Sequence, residues 1–429
     1  MNAPQDPERE WRNPLFMKYL FWVAIPASFI GAVVGIHVFG FELFLLRIII
    51  LLFSPLFIFY PAPWRIKSVR RAMFLFTTML GYGVISLLWS SDPVLGFRNV
   101  VWLFTGVMLL FLVVRQARDQ AALRQIMILW ALTIIGTSLL GFYEFRSGHY
   151  LFNFEAANFQ ELDAYLERIG WWIPRVFWSN WNNFAFVNAL SAPVLFGWGL
   201  DSGGRVRALA LTSSCLAVAM VVLCFSRAAL GGLVLSLLLF GTVYGFFYIK
   251  NDRFRTRHLF VMALVMALGL GVVIKQSENI EFINKVYSSF STKFEGSEGS
   301  NEYRGYTYNR AVIEGTWGSL GFGRGLGASN QLIEGGSYHF YPFEILAELG
   351  LWIFLGYVLL MVNLVVGLYQ CIIKGIHVYW STGLLASAMA FPILAMGPSS
   401  ILGEGPYWLW MGFLVAYTGV MRIRRLDIA

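Results

Sequence analysis

Residues 343–371 read FEILAELGLWIFLGYVLLMVNLVVGLYQC, an apolar run whose only charges, Glu344 and Glu348, fall in its first two turns. At a rise of ~1.5 Å per residue the run is longer than the ~20 residues a helix needs to cross a bilayer. It is also far longer than the roughly 3–10 residues of an ordinary strand. The spacing of charges and the length together predict a membrane-spanning helix. Runs of the same kind recur at 16–39, 41–60, 72–90, 97–114, 122–143, 181–200, 206–225, 229–249, 259–275, 379–398 and 405–421. With 343–371 they make about twelve helices by the ~20-residue criterion. The composition agrees, because only 13% of the chain is charged, where a soluble domain carries about 25%. An all-α polytopic membrane protein is expected.

Basic residues set the expected orientation. If residues 1–15 form a cytoplasmic tail, alternation of the runs puts twenty of the 32 Lys and Arg residues inside and eleven outside, with Arg47 within the second run. Each short basic cluster lands inside, among them Arg65, Lys67, Arg70 and Arg71, then Arg115, Arg118 and Arg124, then Arg422, Arg424 and Arg425. This is the bias that positive charge near membrane ends imposes. Both termini are then cytoplasmic. The expected units are helices 1–9 over 16–275, interrupted by an outer loop at 144–180, then a large outer loop at 276–342. Helices 10–12 and a basic cytoplasmic tail fill 343–429.

The first outer loop spaces Phe159, Leu162, Leu166 and Ile169 at helical intervals, with charges between them, as in a helix lying on a membrane surface. Trp171, Trp172, Trp178 and Trp181 follow, as at an interfacial belt. The second loop is the longest polar interruption in the chain. It carries Lys285, Lys293, Arg304, Arg310, Arg324 and His339. Glycine and serine crowd 295–300 as a neck between two expected helical pieces, near 278–293 and 303–317.

Several classes of function are excluded or disfavoured. Cys215, Cys224 and Cys371 all lie in or at the end of apolar runs, so neither a structural disulfide nor a zinc knuckle is expected. No outer Asp-x-Asp pair or spaced His/Cys set suggests a catalytic metal, and no cofactor is expected. The net charge of +8 is dispersed in clusters between spans and is not a nucleic-acid footprint. The start of the chain has no short apolar core with a small-residue cleavage site, so it is read as a tail.

The outer side offers candidates for chemistry, each with a plain structural reading beside it. Arg227, in Ser226-Arg227 between two runs, either snorkels to head groups or faces a cavity as an anion ligand, because guanidinium matches phosphate geometry. Arg304 either is a solvated loop charge or approaches a substrate. Arg175, among aromatics in Ile173-Pro-Arg-Val-Phe-Trp178, divides between a head-group contact and a substrate contact. Arg310, Arg324 and Tyr338 rank behind these. His339, flanked by Tyr338, Phe340 and Tyr341, is either an interfacial hydrogen-bonded imidazole or a general base near its ordinary pKa of ~6.5. Gly321-Phe-Gly-Arg-Gly-Leu-Gly327 has the glycine density of a phosphate cradle. It lacks the preceding strand and Lys-Ser/Thr ending of a P-loop, so a tight turn at the membrane edge is expected instead.

Taken in order, these segments resemble the O-antigen ligase and polymerase superfamily of bacterial inner-membrane glycosyltransferases. The segments are Arg175 with Asn180-Trp-Asn-Asn183, Ser226-Arg-Ala-Ala-Leu-Gly-Gly232, Arg304, Gly321 to Gly327, and His339 followed by Glu344-Ile-Leu-Ala-Glu-Leu-Gly-Leu351. The resemblance covers the chain from about the fourth helix onward. It implies a GT-C-like, metal-independent enzyme with a periplasmic active site in the large loop between the ninth and tenth helices. The implied donor is O-antigen glycan on undecaprenyl pyrophosphate. In the ligase branch the acceptor is lipid A–core and the product is mature lipopolysaccharide. The resemblance implies Arg227 and Arg304 on the donor pyrophosphate, with Arg175 beside them, and His339 as the catalytic residue. An O-antigen polymerase, with a second lipid-linked glycan as acceptor, is the nearest alternative. A lipid or glycan transporter is the alternative of another class. Against it, the chain shows no inverted repeat, and its outer charges gather on one face instead of the midplane.

Overall fold

The structure, a computed structural model, describes residues 15–30, 35–38, 41–54, 66–151, 172–178, 180–250, 297–329, 340–398 and 400–426. Most of the apolar runs become helices close to their expected bounds. These are α1 (Leu15–Phe29), α2 (Leu45–Phe53), α3 (Lys67–Ser86), α4 (Pro93–Gln116), α5 (Gln120–Ser147), α6 (Trp181–Asp201), α7 (Gly204–Leu223) and α8 (Arg227–Lys250). In the second loop lies α9 (Ser297–Gly315). The run quoted at the outset becomes α10 (Tyr341–Glu344), a π-helical turn at Ile345–Leu349, and α11 (Gly350–Ile373). Helices α12 (Val378–Leu394) and α13 (Gly405–Leu426) follow. Among the described residues, six helical stretches are long and apolar enough to cross a membrane, and the π-turn and its flanking helices form one of them. The chain is a multi-pass helical membrane protein.

Side chains and prolines mark the helix starts. Asp92 accepts from the Leu95 amide at 3.0 Å ahead of Pro93. Asp119 accepts from Ala122 at 2.8 Å, and Asn180 accepts from Asn182 at 2.8 Å. Each satisfies an amide that has no partner inside its own helix.

The first two runs differ from expectation. Helix α1 stops at Phe29, and Gly35–Val38 pairs antiparallel with Phe41–Phe44 before α2 begins. At ~1.5 Å per residue the fifteen residues of α1 fall short of a ~30 Å hydrocarbon core. The segments 16–39 and 41–60 are therefore not two full-length helices. Gly35 is a poor helix residue, and Ile36 and Val38 favour the extended backbone they adopt. Hydropathy reads all of these as apolar and misses the break. Helix α9 also begins inside the expected glycine-serine neck. The run at 259–275, the stretch around 159–169, the piece at 278–293, Lys285, Lys293, Tyr338 and His339 lie outside the described residues.

Helix α6 is the hub and is almost wholly buried. It packs on α7, α8 and α12. Gly197 of α6 and Gly383 of α12 sit face to face, and a Cβ on either would run into backbone carbonyl oxygens of the other helix. Small residues at such crossings let backbones approach where no hydrophobic force separates helix from lipid. Gly106 of α4 likewise makes room for the Trp408 ring of α13. Large apolar side chains point outward instead, among them Phe74, Leu139, Leu238, Phe246 and Leu359, as lipid contact requires.

Candidate active site

The helix ends that the charge pattern assigns to the outer side converge around two short segments, 172–178 and 395–404. The first is shaped by Glu144, near the end of α5. Its Oε2 accepts the amides of Arg175 at 3.0 Å and Val176 at 2.8 Å. One carboxylate oxygen thus bends the chain through Val176, whose φ of +51° is strained for a β-branched residue. The Arg175 guanidinium is buried and lies 3.8 Å from the centre of the Tyr150 ring. Tyr150 is itself fixed by a hydrogen bond to the Ile173 carbonyl at 3.2 Å. Arg175 is therefore inside the protein, against an aromatic face, and not at the lipid head groups.

The turn that carries Arg227 docks on this segment. The Cys224 thiol donates to the Pro174 carbonyl at 3.4 Å. Phe225 takes φ +50°, and α8 starts at Arg227. Gly397 of the second segment faces Ala228 and Ser226, and a Cβ added there would lie within 3.7 Å of both side chains. Ser400 donates to Glu344 of α10 at 2.7 Å. Segments carrying Arg175 and Arg227 are thereby joined, through Gly397 and Ser400, to the start of the quoted helix.

Helix α9 completes the convergence from the loop side. Tyr308 lies one turn after Arg304, and its ring centroid is 5.8 Å from that of Phe340 and 5.1 Å from that of Phe343. Gly315 closes directly on the backbone of Leu346 in the π-turn. The backbone of Arg304 is thus held one turn from a residue that packs on Phe340, the neighbour of His339. Arg310 and Arg324 meet elsewhere, on the shared carboxylate of Glu314. Arg324 approaches Oε2 through Nε at 2.7 Å and Nη2 at 2.6 Å, and Arg310 reaches Oε1 at 3.5 Å. The Arg324 guanidinium ties the glycine-rich loop to α9, while the Arg310 pair runs within the helix.

That loop is a packing turn. Gly321, Gly323, Gly325 and Gly327 all take positive φ. The amides of Arg324 and Gly325 donate to the carbonyls of Ala347 and Glu348, and that of Leu326 donates to the Ser86 hydroxyl. The Gly323 amide goes to Ser319. Amides spent on protein acceptors are not aimed at a phosphate, so a tight turn forms and not a phosphate cradle.

Beside these segments is a cavity of about 260 Å³, between the ends of α1, α2, α4, α6 and α13. The charged side chains among its lining residues are Arg47, Arg98 and Glu404. Glu404 accepts Trp178 Nε1 at 3.0 Å and Asn183 Nδ2 at 2.6 Å. Burial pushes its carboxyl up to about 7, although both hydrogen bonds favour the ionised form. Arg47 is buried, with its guanidinium carbon 4.1 Å from the centre of the Phe44 ring and 5.2 Å from that of Trp102. Arg98 reaches the same Trp102 ring at 4.9 Å.

Glu144, Glu404, Arg47 and Arg98 were not singled out by the sequence. Glu144 and Arg98 read as loop-edge charges, and Arg47 as an isolated charge in an apolar run. Glu404 did leave a signal, a lone carboxylate between two glycines where two apolar runs meet. Among the described residues, no three His, Cys, Asp or Glu side chains gather as a metal set.

No family model matches the chain. The chain is similar to the teichuronic acid biosynthesis protein TuaE of Bacillus subtilis (strain 168). The two are 23% identical over 443 aligned residues, spanning 96% of this chain and 86% of that protein. The likeness runs nearly end to end.

Proposed function

We propose that the chain is a glycosyltransferase that moves a glycan from undecaprenyl pyrophosphate to a hydroxyl acceptor on the outer, periplasmic face of the bacterial inner membrane. In the leading form of this reading the glycan is O-antigen, the acceptor is lipid A–core, and the product is mature lipopolysaccharide. The observation that carries it is the near end-to-end likeness to a protein of teichuronic acid biosynthesis. The convergence of the Arg175, Arg227 and Phe340 segments at one end of the bundle supports it. The same likeness favours a second reading, polymerisation, in which another lipid-linked glycan is the acceptor.

The chemistry needs few groups. A lipid pyrophosphate carries the charge away as the glycosidic bond breaks, and Arg227, Arg304 and Arg175 stabilise it. His339 takes the proton of the acceptor hydroxyl as its oxygen attacks the anomeric carbon. One direct displacement of this kind inverts that carbon, and no metal or cofactor takes part.

The test is transfer by the purified protein in detergent with EDTA, given a pyrophosphate-linked glycan and lipid A–core. A ladder on lipid A–core that disappears with His339→Ala supports the ligase. Longer lipid-linked glycan with lipid A–core untouched replaces it with the polymerase. Transfer by His339→Ala at near the wild-type rate removes His339 from the mechanism. No transfer to either acceptor by a folded protein overturns the reading in favour of a transporter.

A further inference from the structure

The cavity between α1, α2, α4, α6 and α13 is lined by none of the arginines assigned above to the pyrophosphate, yet it is equipped for a charged ligand. Guanidinium groups of Arg47 and Arg98 both come within reach of one Trp102 ring. Such groups pair bidentately with carboxylate or phosphate oxygens. Trp102, Trp178 and Trp408 add aromatic wall, against which the C–H face of a pyranose buries apolar surface. The polar rim includes Asn180, Asn183, Ser400 and Glu404. Within it, Trp102 Nε1 and Asn183 Oδ1 are buried and have no hydrogen-bond partner among the described residues. A donor and an acceptor left over on the same wall suit a hydroxyl, which both accepts and donates. The volume is below the roughly 300–1,000 Å³ of pockets that enclose drug-sized ligands, so it holds one sugar ring and not a chain. Ser400 lines this cavity and also holds Glu344, which places the bound ring against the start of α10.

We infer that this cavity is a subsite for a single sugar residue bearing a negatively charged substituent, with Arg47 and Arg98 on the charge, Trp102 on the ring and Asn183 with Glu404 on hydroxyls. The inference deepens the glycan-transfer reading and rests on it. The charge belongs either to a carboxylate on a uronic acid or to a phosphate on a glycosyl phosphate.

The test reads binding and not transfer, so the two readings fail separately. Calorimetric titration of the full-length protein in nanodiscs would use methyl β-glucuronide, glucose 1-phosphate, methyl β-glucoside and inorganic phosphate. One of the two charged sugars is expected to bind at least tenfold more tightly than both the neutral sugar and inorganic phosphate. Which of them does so identifies the substituent. Arg98→Gln is expected to weaken that ligand about tenfold, while the neutral glucoside is unchanged. Arg98→Lys keeps the charge but not the fork and is expected to fall between, which preserves the test if the glutamine variant does not fold. Equal affinity for charged and neutral sugars overturns the charge assignment. Equal affinity for inorganic phosphate overturns the sugar, and no binding of any probe, or no effect of either variant, overturns the subsite.

Discussion

Glu404→Gln is the substitution with the most to say about the end of the bundle where Trp178 and Asn183 meet Glu404. Burial raises the Glu404 carboxyl from 4.5 to about 7. A folded-state value above the unfolded one means that the proton-bound form is favoured by folding. The associated stability is fully present below about pH 4.5 and is lost as the pH rises through about 7. Each pH unit in that window is worth ~1.4 kcal/mol, so the whole window contributes about 3 kcal/mol. The glutamine variant has no such titration. Its amide can accept from only one of Trp178 and Asn183, and the donor left over costs about 1–3 kcal/mol. The variant is therefore expected to be less stable than wild type in acid and to close the gap as the pH rises. The assay is thermal unfolding in detergent, at one scan rate because such transitions are kinetic, from about pH 5 to about pH 8. A wild-type midpoint that falls across the window, with a flat glutamine variant, is expected. Identical pH slopes for the two proteins would refute the assignment of that titration to Glu404.

Other substitutions probe the supports of the site. Gly325→Ala, at φ +88° and facing the Ser86 carbonyl, is expected to lose roughly 1–3 kcal/mol through backbone strain alone. Gly321→Ala, whose nearest neighbour is 3.5 Å away, should be the milder of the two in the same thermal assay. Glu314→Gln removes the charge shared by Arg310 and Arg324. These pairs are well exposed on the arginine side, so each is worth ~0.2–1 kcal/mol, and the loss should shrink in high salt. Gly197→Val places a branched side chain against the Tyr379 carbonyl and should cost at least the roughly 1–3 kcal/mol of overpacking. A lost monodisperse peak in size-exclusion chromatography checks it, and a normal peak would show that α6 and α12 are not in the contact described.

Much of the architecture is legible in the amino-acid order because a bilayer leaves few choices. Lipid offers no hydrogen-bond partners, so a long apolar run must be a helix, and 343–371 or 181–200 could be read directly. The turn at Gly321–Gly327 followed from glycine density without the flanking pattern of a phosphate loop. Among the candidates, the sequence identified the Arg175, Arg227, Arg304 and His339 segments, and the tertiary contacts bring the first two to the edge of the Phe340 segment, with the Arg304 backbone alongside. It did not separate helix from the paired strands at 35–38 and 41–44, since hydropathy weighs Ile36 and Val38 the same in either backbone.

What tertiary structure alone decided is which polar groups meet. Glu144 and Val176 are 32 residues apart in the chain, and Asn183 and Glu404 are 221 apart. No local pattern encodes such pairs, because each partner only has to suit a helix end, and the meeting is set by how α5, α6 and α13 pack. The same is true of Arg47 and Arg98, which read as isolated charges until α2 and α4 place them on one tryptophan. Apolar length and the scarcity of charge determined that this chain crosses a membrane. The packing of glycines such as Gly106, Gly197 and Gly383 determined how closely the helices approach, and with that the cavity and the charges that line it.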